Sequence, residues 1–242
     1  MATHFIQVRR LRAFIVMLAP VLLAAGIQSQ PYPVGEVLPP PTSPQQVRPP
    51  KIGQQWVYQV RNVFNQEIVD TVTETVVAVG NEVRIARSGQ KAGPLPDEVQ
   101  SPWGYLLQDP HWSPPQVFQQ ALPAWPVQLN SAWSNFYRTR YQVVGRPDSS
   151  FYWGLNIAAI QWERITVPAG SFRTLKYQNE APYFESNDLF RTSNYREEDV
   201  WLAPEVGRWV IRRGYGRYLT AGVFWANAYW EDYLEWELIS WK

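Results

Sequence analysis

The sequence IAAIQWERITVPAGSFRTLKYQ (residues 157–178) carries the clearest fold signal in the chain. On both sides of Val167-Pro168-Ala169-Gly170, apolar residues alternate with polar ones, which is the period of a β-strand with one buried face. Pro168 presets φ at the second turn position, and Gly170 can take the positive φ from which the next strand starts. We therefore predict a β-hairpin whose two strands are residues 157–167 and 171–178.

The same turn chemistry recurs further along the chain, in Ala203-Pro204-Glu205-Val206-Gly207. Pro204 and Gly207 have the roles of the proline and glycine in the first turn. This turn therefore joins a second pair of predicted strands, residues 195–202 and 208–213. Gly80-Asn81 is a two-residue turn typical of a third hairpin, with strands at residues 68–79 and 82–87.

The strand period continues through nearly all of residues 54–241, without the 3.6-residue period of an amphipathic helix. Residues 55–62, for example, place Trp56, Tyr58 and Val60 on one face. We predict an all-β fold of about eight to ten antiparallel strands, with little helix, in a single curved sheet that forms a half-barrel, a barrel or a sandwich. The remaining predicted strands are residues 132–144 and 229–241.

The N-terminus has the pattern of a secretory signal peptide over residues 1–30. Three arginines precede an apolar segment of residues 13–27, which is shorter than the ~20 residues that span a bilayer. We expect an exported protein, in the periplasm or outside a bacterial cell, whose mature chain starts between Ala25 and Pro31. An uncleaved N-terminal anchor is the alternative.

Two proline-rich segments follow. Residues 31–50 contain eight prolines, and because proline fixes φ and lacks an N–H, we predict an extended, solvated tether there. Residues 51–242 are then a single β-domain. Within it, residues 89–130 contain eight more prolines, and we predict a long irregular Pro/Trp-rich insertion that folds over one open end of the sheet and includes a short helix at residues 116–121.

The composition excludes several classes of function. The chain has 242 residues, a net charge of +1 and no cysteine. Near-zero charge argues against nucleic-acid binding, and the missing thiol excludes disulfides, thiolate catalysis and a lipidated cysteine. After removal of residues 1–30, His111 is the only histidine, so a multi-histidine metal site is impossible. We expect no metal, no cofactor and no catalytic residue.

Three polar groupings have both a catalytic and a structural interpretation. Ser88-Gly89-Gln90-Lys91 matches S-x-x-K, but that chemistry requires a helix, and a strand is predicted to precede it. His111 lies in a turn-rich segment without a nucleophile motif, which indicates a structural or solvent-exposed side chain. The acids of Glu197-Glu198-Asp199, and the pair Glu235 and Glu237, suit a glycosidase, although acids alternate with apolar residues in any half-exposed strand.

A basic cluster near the C-terminus also has two interpretations. Interleaved with Tyr215 and Tyr218, it has the chemistry to meet anionic lipid headgroups or a polyanion. Its alternation with Trp209 and Ile211 favours the outer, solvent-facing side of a strand. The cluster comprises Arg208, Arg212, Arg213 and Arg217.

Thirteen tryptophans are the most unusual feature of the composition. Tryptophan and tyrosine rings fill cores, line apolar pockets and stack on sugars. We predict that rings of the insertion close or rim an apolar cavity whose opposite wall is the aromatic face of the sheet. The predicted ligand-binding residues are Trp103, Trp112 and Trp125 in the insertion, and Trp56, Tyr58, Trp133 and Tyr137 in the sheet.

Three motifs resemble those of uncharacterised bacterial exported and lipoprotein β-domains. They are the opening Ile52-Gly53-x-x-Trp56-x-Tyr58, the hairpin Val167-Pro168-Ala169-Gly170-Ser171-Phe172, and the turn Val200-Trp201-Leu202-Ala203-Pro204-Glu205-Val206-Gly207. The resemblance spans residues 52–213 and implies a curved antiparallel sheet in the envelope, with no established activity. The chain departs from the lipoprotein members because it has no cysteine to carry a lipid.

Together these observations predict an exported, non-enzymatic envelope protein. Its aromatic sheet would bind an apolar small molecule, a lipid or an envelope protein. A carbohydrate- or cell-wall-binding module is the alternative, and a glycoside hydrolase is a third interpretation that rests only on the carboxylates. Contact with a membrane is expected only through the N-terminal segment, transient or uncleaved.

Overall fold

The computed structural model describes residues 35–220 and 227–242, so the predicted signal peptide lies outside the described residues. Within them the chain forms fourteen β-strands and no helix, which confirms the all-β prediction with more strands than expected. Nothing in this part of the chain is a helix that could cross a bilayer. The strands are β1 (Glu36–Leu38), β2 (Gln55–Asn62), β3 (Ile68–Ala78), β4 (Val83–Gly89), β5 (Gly93–Gln100), β6 (Tyr105–Asp109), β7 (Gln116–Pro123), β8 (Ser134–Val143), β9 (Arg146–Val167), β10 (Gly170–Phe184), β11 (Arg191–Ala203), β12 (Arg208–Thr220), β13 (Asn227–Trp230) and β14 (Leu234–Trp241).

Twelve of the strands form a closed antiparallel barrel. The order is β9-β10-β11-β12-β14-β2-β3-β4-β5-β6-β7-β8, and β8 pairs back onto β9. Because neighbouring strands are antiparallel, the connections alternate between two ends. We call the end with the turns at residues 168–169 and 204–207 the lower end, and the end with residues 110–115 and 185–190 the upper end.

The two proline–glycine hairpins form as predicted. β9 pairs with β10 from Val167 and Gly170 onward, and the φ angles of Gly170 and Gly207 are +136° and +78°. The predicted last strand is divided, because β13 pairs with the upper part of β12 whereas β14 lies between β12 and β2. Local turn chemistry thus sets the hairpins, and barrel closure sets where the last strand breaks.

The prediction of an irregular insertion at residues 89–130 is wrong. β5, β6 and β7 are part of the barrel wall, and the segment predicted as a helix at residues 116–121 belongs to β7. Pro94 and Pro96 lie where β5 pairs with β4 but not with β6, so their missing N–H groups cost no bond to β6. Most of the other prolines lie in the connections at the two ends.

Most of residues 35–50 are exposed, as expected of a solvated segment, but the segment is attached to the barrel and is not a free tether. β1 pairs with β9, with Val37 opposite Glu163. At the lower end the backbone N–H of Arg48 donates to the carbonyl of Pro204 at 2.8 Å. A Cβ on Gly207 would lie 2.8 Å from the Arg48 carbonyl oxygen, so the glycine of the second turn also makes room for this segment.

Candidate functional site

The most unexpected feature of the barrel interior is a cluster of buried charges. Strand alternation turns these side chains inward among aromatic rings, where an unpaired charge would be very costly. Each charge is offset by a partner from another strand or loop. The cluster comprises four carboxylates, Glu74, Glu98, Asp109 and Glu198, three arginines, Arg87, Arg208 and Arg212, and the imidazole of His111.

Arg208 joins two of the carboxylates. Its guanidinium donates to both oxygens of Glu98, at 3.0 and 2.7 Å, and lies 2.6 Å from Glu74 Oε2. Burial alone would raise the pKa of the Glu98 carboxyl, but the Arg208 guanidinium holds that pKa below its ordinary value. At Glu74 too, burial would raise the pKa, but Arg208 lowers it below its ordinary value. Both acids are therefore ionised inside the barrel.

His111 lies in this cluster and not at the solvent-exposed surface. Its side chain is 2% exposed, with Nδ1 at 3.0 Å from Asp109 Oδ1 and Nε2 at 3.1 Å from Glu74 Oε1. Both ring nitrogens thus have a carboxylate oxygen within hydrogen-bond distance. Burial would raise the pKa of Asp109, but Arg212 and His111 hold it well below its usual range. The histidine thus anchors the connection between β6 and β7 inside the barrel.

A pocket of about 320 Å³ opens at the upper end, above this cluster. Its floor includes the cluster members His111, Glu198 and Arg212, and four aromatic rings form much of its wall. Trp230 is 59% exposed at this pocket. The lining residues are the rings Trp112, Tyr218, Trp230 and Trp236, the charged or polar His111, Ser113, Arg191, Glu198, Arg212, Glu231 and Asp232, and Gly214 with Leu234.

Glu231 fastens two walls of the pocket together. It accepts from Arg196 Nε at 2.7 Å and from Arg191 Nη1 at 2.8 Å. Arg196 also donates to the Ser113 carbonyl at 3.1 Å and lies 4.4 Å from the Trp112 ring centroid. These contacts hold the 110–115 connection against the segment between β13 and β14.

Two glycines of β12 make space for these groups. A Cβ on Gly214 would lie 3.0 Å from Glu198 Cγ and 3.3 Å from the Trp112 ring, and a Cβ on Gly216 would collide with the Glu231 carboxylate. Sequence reasoning missed both glycines, and it missed Glu231, Arg191 and Arg196. The available signal was Gly-x-Gly within a strand, which indicates close approach by another group.

The structure brings only some of the predicted ligand-binding rings together. Trp112 lines the upper pocket, whereas Trp103 and Trp125 pack edge to face with each other, 5.2 Å between centroids, in connections at the lower end. Trp112 and Trp125 nevertheless both line a small interior cavity of about 60 Å³, which Trp103 and the four predicted sheet residues do not line. Of the sheet residues, Trp56 and Tyr58 are fully buried, and Trp133 and Tyr137 are partly buried against the core.

The candidate acids lie on different faces of their strands, some inside the barrel and some outside. Glu198 points inward to Arg212, whereas Glu235 and Glu237 lie on the face opposite the core residues Trp236 and Leu238. Burial raises the pKa of Asp199, also on the outer side, to about 6. No group of three or more His, Cys, Asp or Glu side chains in the described ranges could hold a metal ion.

The basic cluster is likewise divided, so its prediction as an outer face is wrong in part. Arg208 and Arg212 are buried among carboxylates, whereas the Arg213 and Arg217 guanidinium groups lie over the rings of Tyr233 and Tyr195. Ser88 belongs to strand β4, and Lys91 Nζ donates to the Ile68 carbonyl, so the S-x-x-K match has no helical geometry.

No protein-family model matches the sequence, and no curated protein is significantly similar to it. Two solved structures share the fold. A candidate lipoprotein from Parabacteroides distasonis ATCC 8503 has a TM-score of 0.56 at 14% identity, over 83% of this chain and 100% of that chain. A candidate exported protein with a YmcC-like fold from Bacteroides fragilis NCTC 9343 has a TM-score of 0.52 at 12% identity, with the same coverage. At such identities the likeness establishes the fold alone.

Proposed function

We propose that this chain is an exported, non-enzymatic envelope protein that binds a small ligand in the pocket at the upper end. The observation that carries the proposal is the pocket itself, which combines exposed and half-buried rings with hydrogen-bonding side chains at one mouth. Export is supported by the signal-peptide pattern of residues 1–30 and by the descriptions of the two fold neighbours. The periplasm and the cell exterior are both consistent with this support.

The polarity of the lining favours a carbohydrate over a wholly apolar ligand. Arg191 is paired with Glu231 and Arg212 with Glu198, so the pocket offers hydrogen bonds without a large net charge. A neutral sugar stacks its apolar face on a ring such as Trp230 and bonds its hydroxyls to the charged pairs. A purely apolar ligand would strip water from these pairs without replacing its hydrogen bonds.

The chemistry of the acids supports binding without hydrolysis. Glu198 accepts from Arg212 and Asn179, and Glu231 accepts from two arginines, so both carboxylates are already engaged in hydrogen bonds within the protein. Asp199, Glu205 and Glu237, the acids whose pKa values burial raises, do not line the upper pocket. A glycosidase needs one protonated carboxyl facing the bound sugar.

A calorimetric screen of neutral oligosaccharides against the exported protein tests the proposal. Trp230→Ala should weaken binding on the order of tenfold or more, because an exposed stacking ring is lost. Tyr183→Ala is the matched control, since Tyr183 is 55% exposed and is not a lining residue. Binding that is indifferent to Trp230, or saturable binding of an apolar dye but of no sugar, would contradict the carbohydrate proposal.

A further inference from the structure

A second recess lies on the outside of the barrel near its lower end, between the proline-rich segment and the wall. Its volume is about 340 Å³. The proline-rich segment forms one side of the recess. Strands β9 and β10 and the second proline–glycine turn form the other side. The lining residues are Gln45, Gln46, Arg48, Trp162, Arg173, Pro204 and Glu205.

The two arginines of this recess are held by rings and not by acids. The Arg173 guanidinium lies 5.5 Å from the Trp162 ring centroid and the Arg48 guanidinium lies 5.7 Å from that of Trp241. Among residues 35–220 and 227–242, neither forms an ion pair, whereas the neighbouring Arg164 pairs with Glu36 at 2.9 Å. A guanidinium stacked on a ring keeps N–H groups at its edge for a ligand.

A second feature of this recess is the buried indole group of Trp162. Its side chain is 1% exposed, and its indole Nε1 is buried without a hydrogen-bond partner in the described structure. An indole N–H can only donate, and leaving a buried donor unsatisfied is costly. Because Trp162 lines the recess beneath the Arg173 guanidinium, its indole N–H is a local reporter of what binds there.

We infer that this recess binds an oxyanion, a phosphate or carboxylate group, between Arg48 and Arg173. Guanidinium groups donate two parallel N–H bonds to such groups, which a neutral acceptor does not match. Glu205 is the one acid of the lining, so the two arginines leave an excess positive charge.

Occupancy would fasten the proline-rich segment to the barrel. Arg173 already donates to the Pro39 carbonyl, and the Arg48 backbone is bonded to Pro204. A bound oxyanion would join these two attachments through the side chains of the same arginines. The inference concerns a site at the opposite end from the upper pocket and does not depend on the proposed carbohydrate function.

Nitrogen-15 NMR of the tryptophan indole groups tests it in the exported protein. The Trp162 resonance, assigned with Trp162→Phe, should shift saturably when inorganic phosphate replaces chloride at constant ionic strength. Arg48→Gln/Arg173→Gln should weaken phosphate binding on the order of tenfold to a hundredfold. Glu205→Gln should strengthen it, and Arg146→Gln, at an exposed arginine of the upper end, should leave it unchanged. A Trp162 resonance that does not respond, or equal phosphate binding by the double variant, would overturn the inference.

Two further experiments distinguish a soluble phosphate compound from a lipid headgroup as the ligand. Free glycerol phosphate that competes with inorganic phosphate indicates a soluble ligand. Sedimentation with vesicles of phosphatidylglycerol, but not of phosphatidylcholine, indicates a lipid headgroup if it requires Arg48 and Arg173. If inorganic phosphate binds but neither glycerol phosphate nor the anionic vesicles do, the oxyanion site stands and takes only a small inorganic anion.

Discussion

Replacing Arg208 with methionine should destabilise the protein more than replacement of any exposed arginine. Arg208 is 2% exposed and contacts both Glu74 and Glu98, so its loss leaves two buried carboxylates short of a partner. Breaking a buried pair in this way costs about 3–5 kcal/mol. For a chain of this size that corresponds to a melting temperature lower by about 6–20 °C.

The pH dependence of this loss of stability follows from the lowered pKa values of Glu74 and Glu98. Glu74 and Glu98 have folded-state pKa values below their ordinary 4.5, so in the native protein they contribute stability above that pH and lose it as the pH falls. Without Arg208, burial is less opposed, and the pKa should rise at Glu98 and, to a smaller extent, at Glu74, which keeps His111 and Arg87. The variant can then protonate these acids, and its deficit should be largest near neutral pH and shrink as the pH approaches 4.5.

Urea unfolding followed by tryptophan fluorescence at pH 7 and pH 4.5 measures both effects. Arg164→Met is the matched control, because the exposed Arg164–Glu36 pair should contribute no more than about 1 kcal/mol. Arg208→Met/Glu98→Gln should recover part of the loss, since one stranded charge is removed. A loss below about 1 kcal/mol, or one independent of pH, would refute the account of the buried cluster.

Three other predictions concern the second proline–glycine turn, the upper pocket and the predicted signal peptide. Gly207→Val should destabilise the fold by more than about 1 kcal/mol, because φ is +78° and a side chain would meet the Arg48 carbonyl; an unchanged melting temperature would contradict this. Gly216→Ala should displace the Glu231 carboxylate and weaken ligand binding in the upper pocket more than it lowers stability, as calorimetry and thermal unfolding would show. Mass spectrometry of the exported protein should place its first residue between Ala25 and Pro31, and detection of residues 1–10 would argue for an uncleaved anchor.

Features that depend on a few neighbouring residues could be predicted. The turns at Pro168 and Pro204 and the positive φ of Gly170 and Gly207 follow from the φ preference of proline and the freedom of glycine. Alternation likewise indicated the buried face of β2. Where alternation is irregular and proline is frequent, as in β5 to β7, local preference pointed to a loop, and only pairing with neighbours in the barrel makes these segments strands.

The candidate site depends on partners far apart in the chain. Alternation predicts on which face of its own strand each of Glu74, Glu98 and Arg208 lies. The same alternation is found where acids and arginines face water, so it does not reveal their burial. Glu98 and Arg208 are 110 residues apart, and Glu74 and His111 are 37 apart. For the same reason Trp112 lines cavities with rings that are distant in the chain, Trp230 in the upper pocket and Trp153 in the interior cavity that it shares with Trp125.

By itself the sequence determined the all-β class, the hairpin turns and the pattern for export, because each rests on backbone preferences or periodicity over short stretches. Closure of β8 onto β9, the inward position of the charges and the convergence of Trp112, Glu231 and Arg191 were decided by the tertiary structure alone. The physical reason is that a buried charge is tolerable only beside its partner, and in this barrel the partner comes from a distant strand.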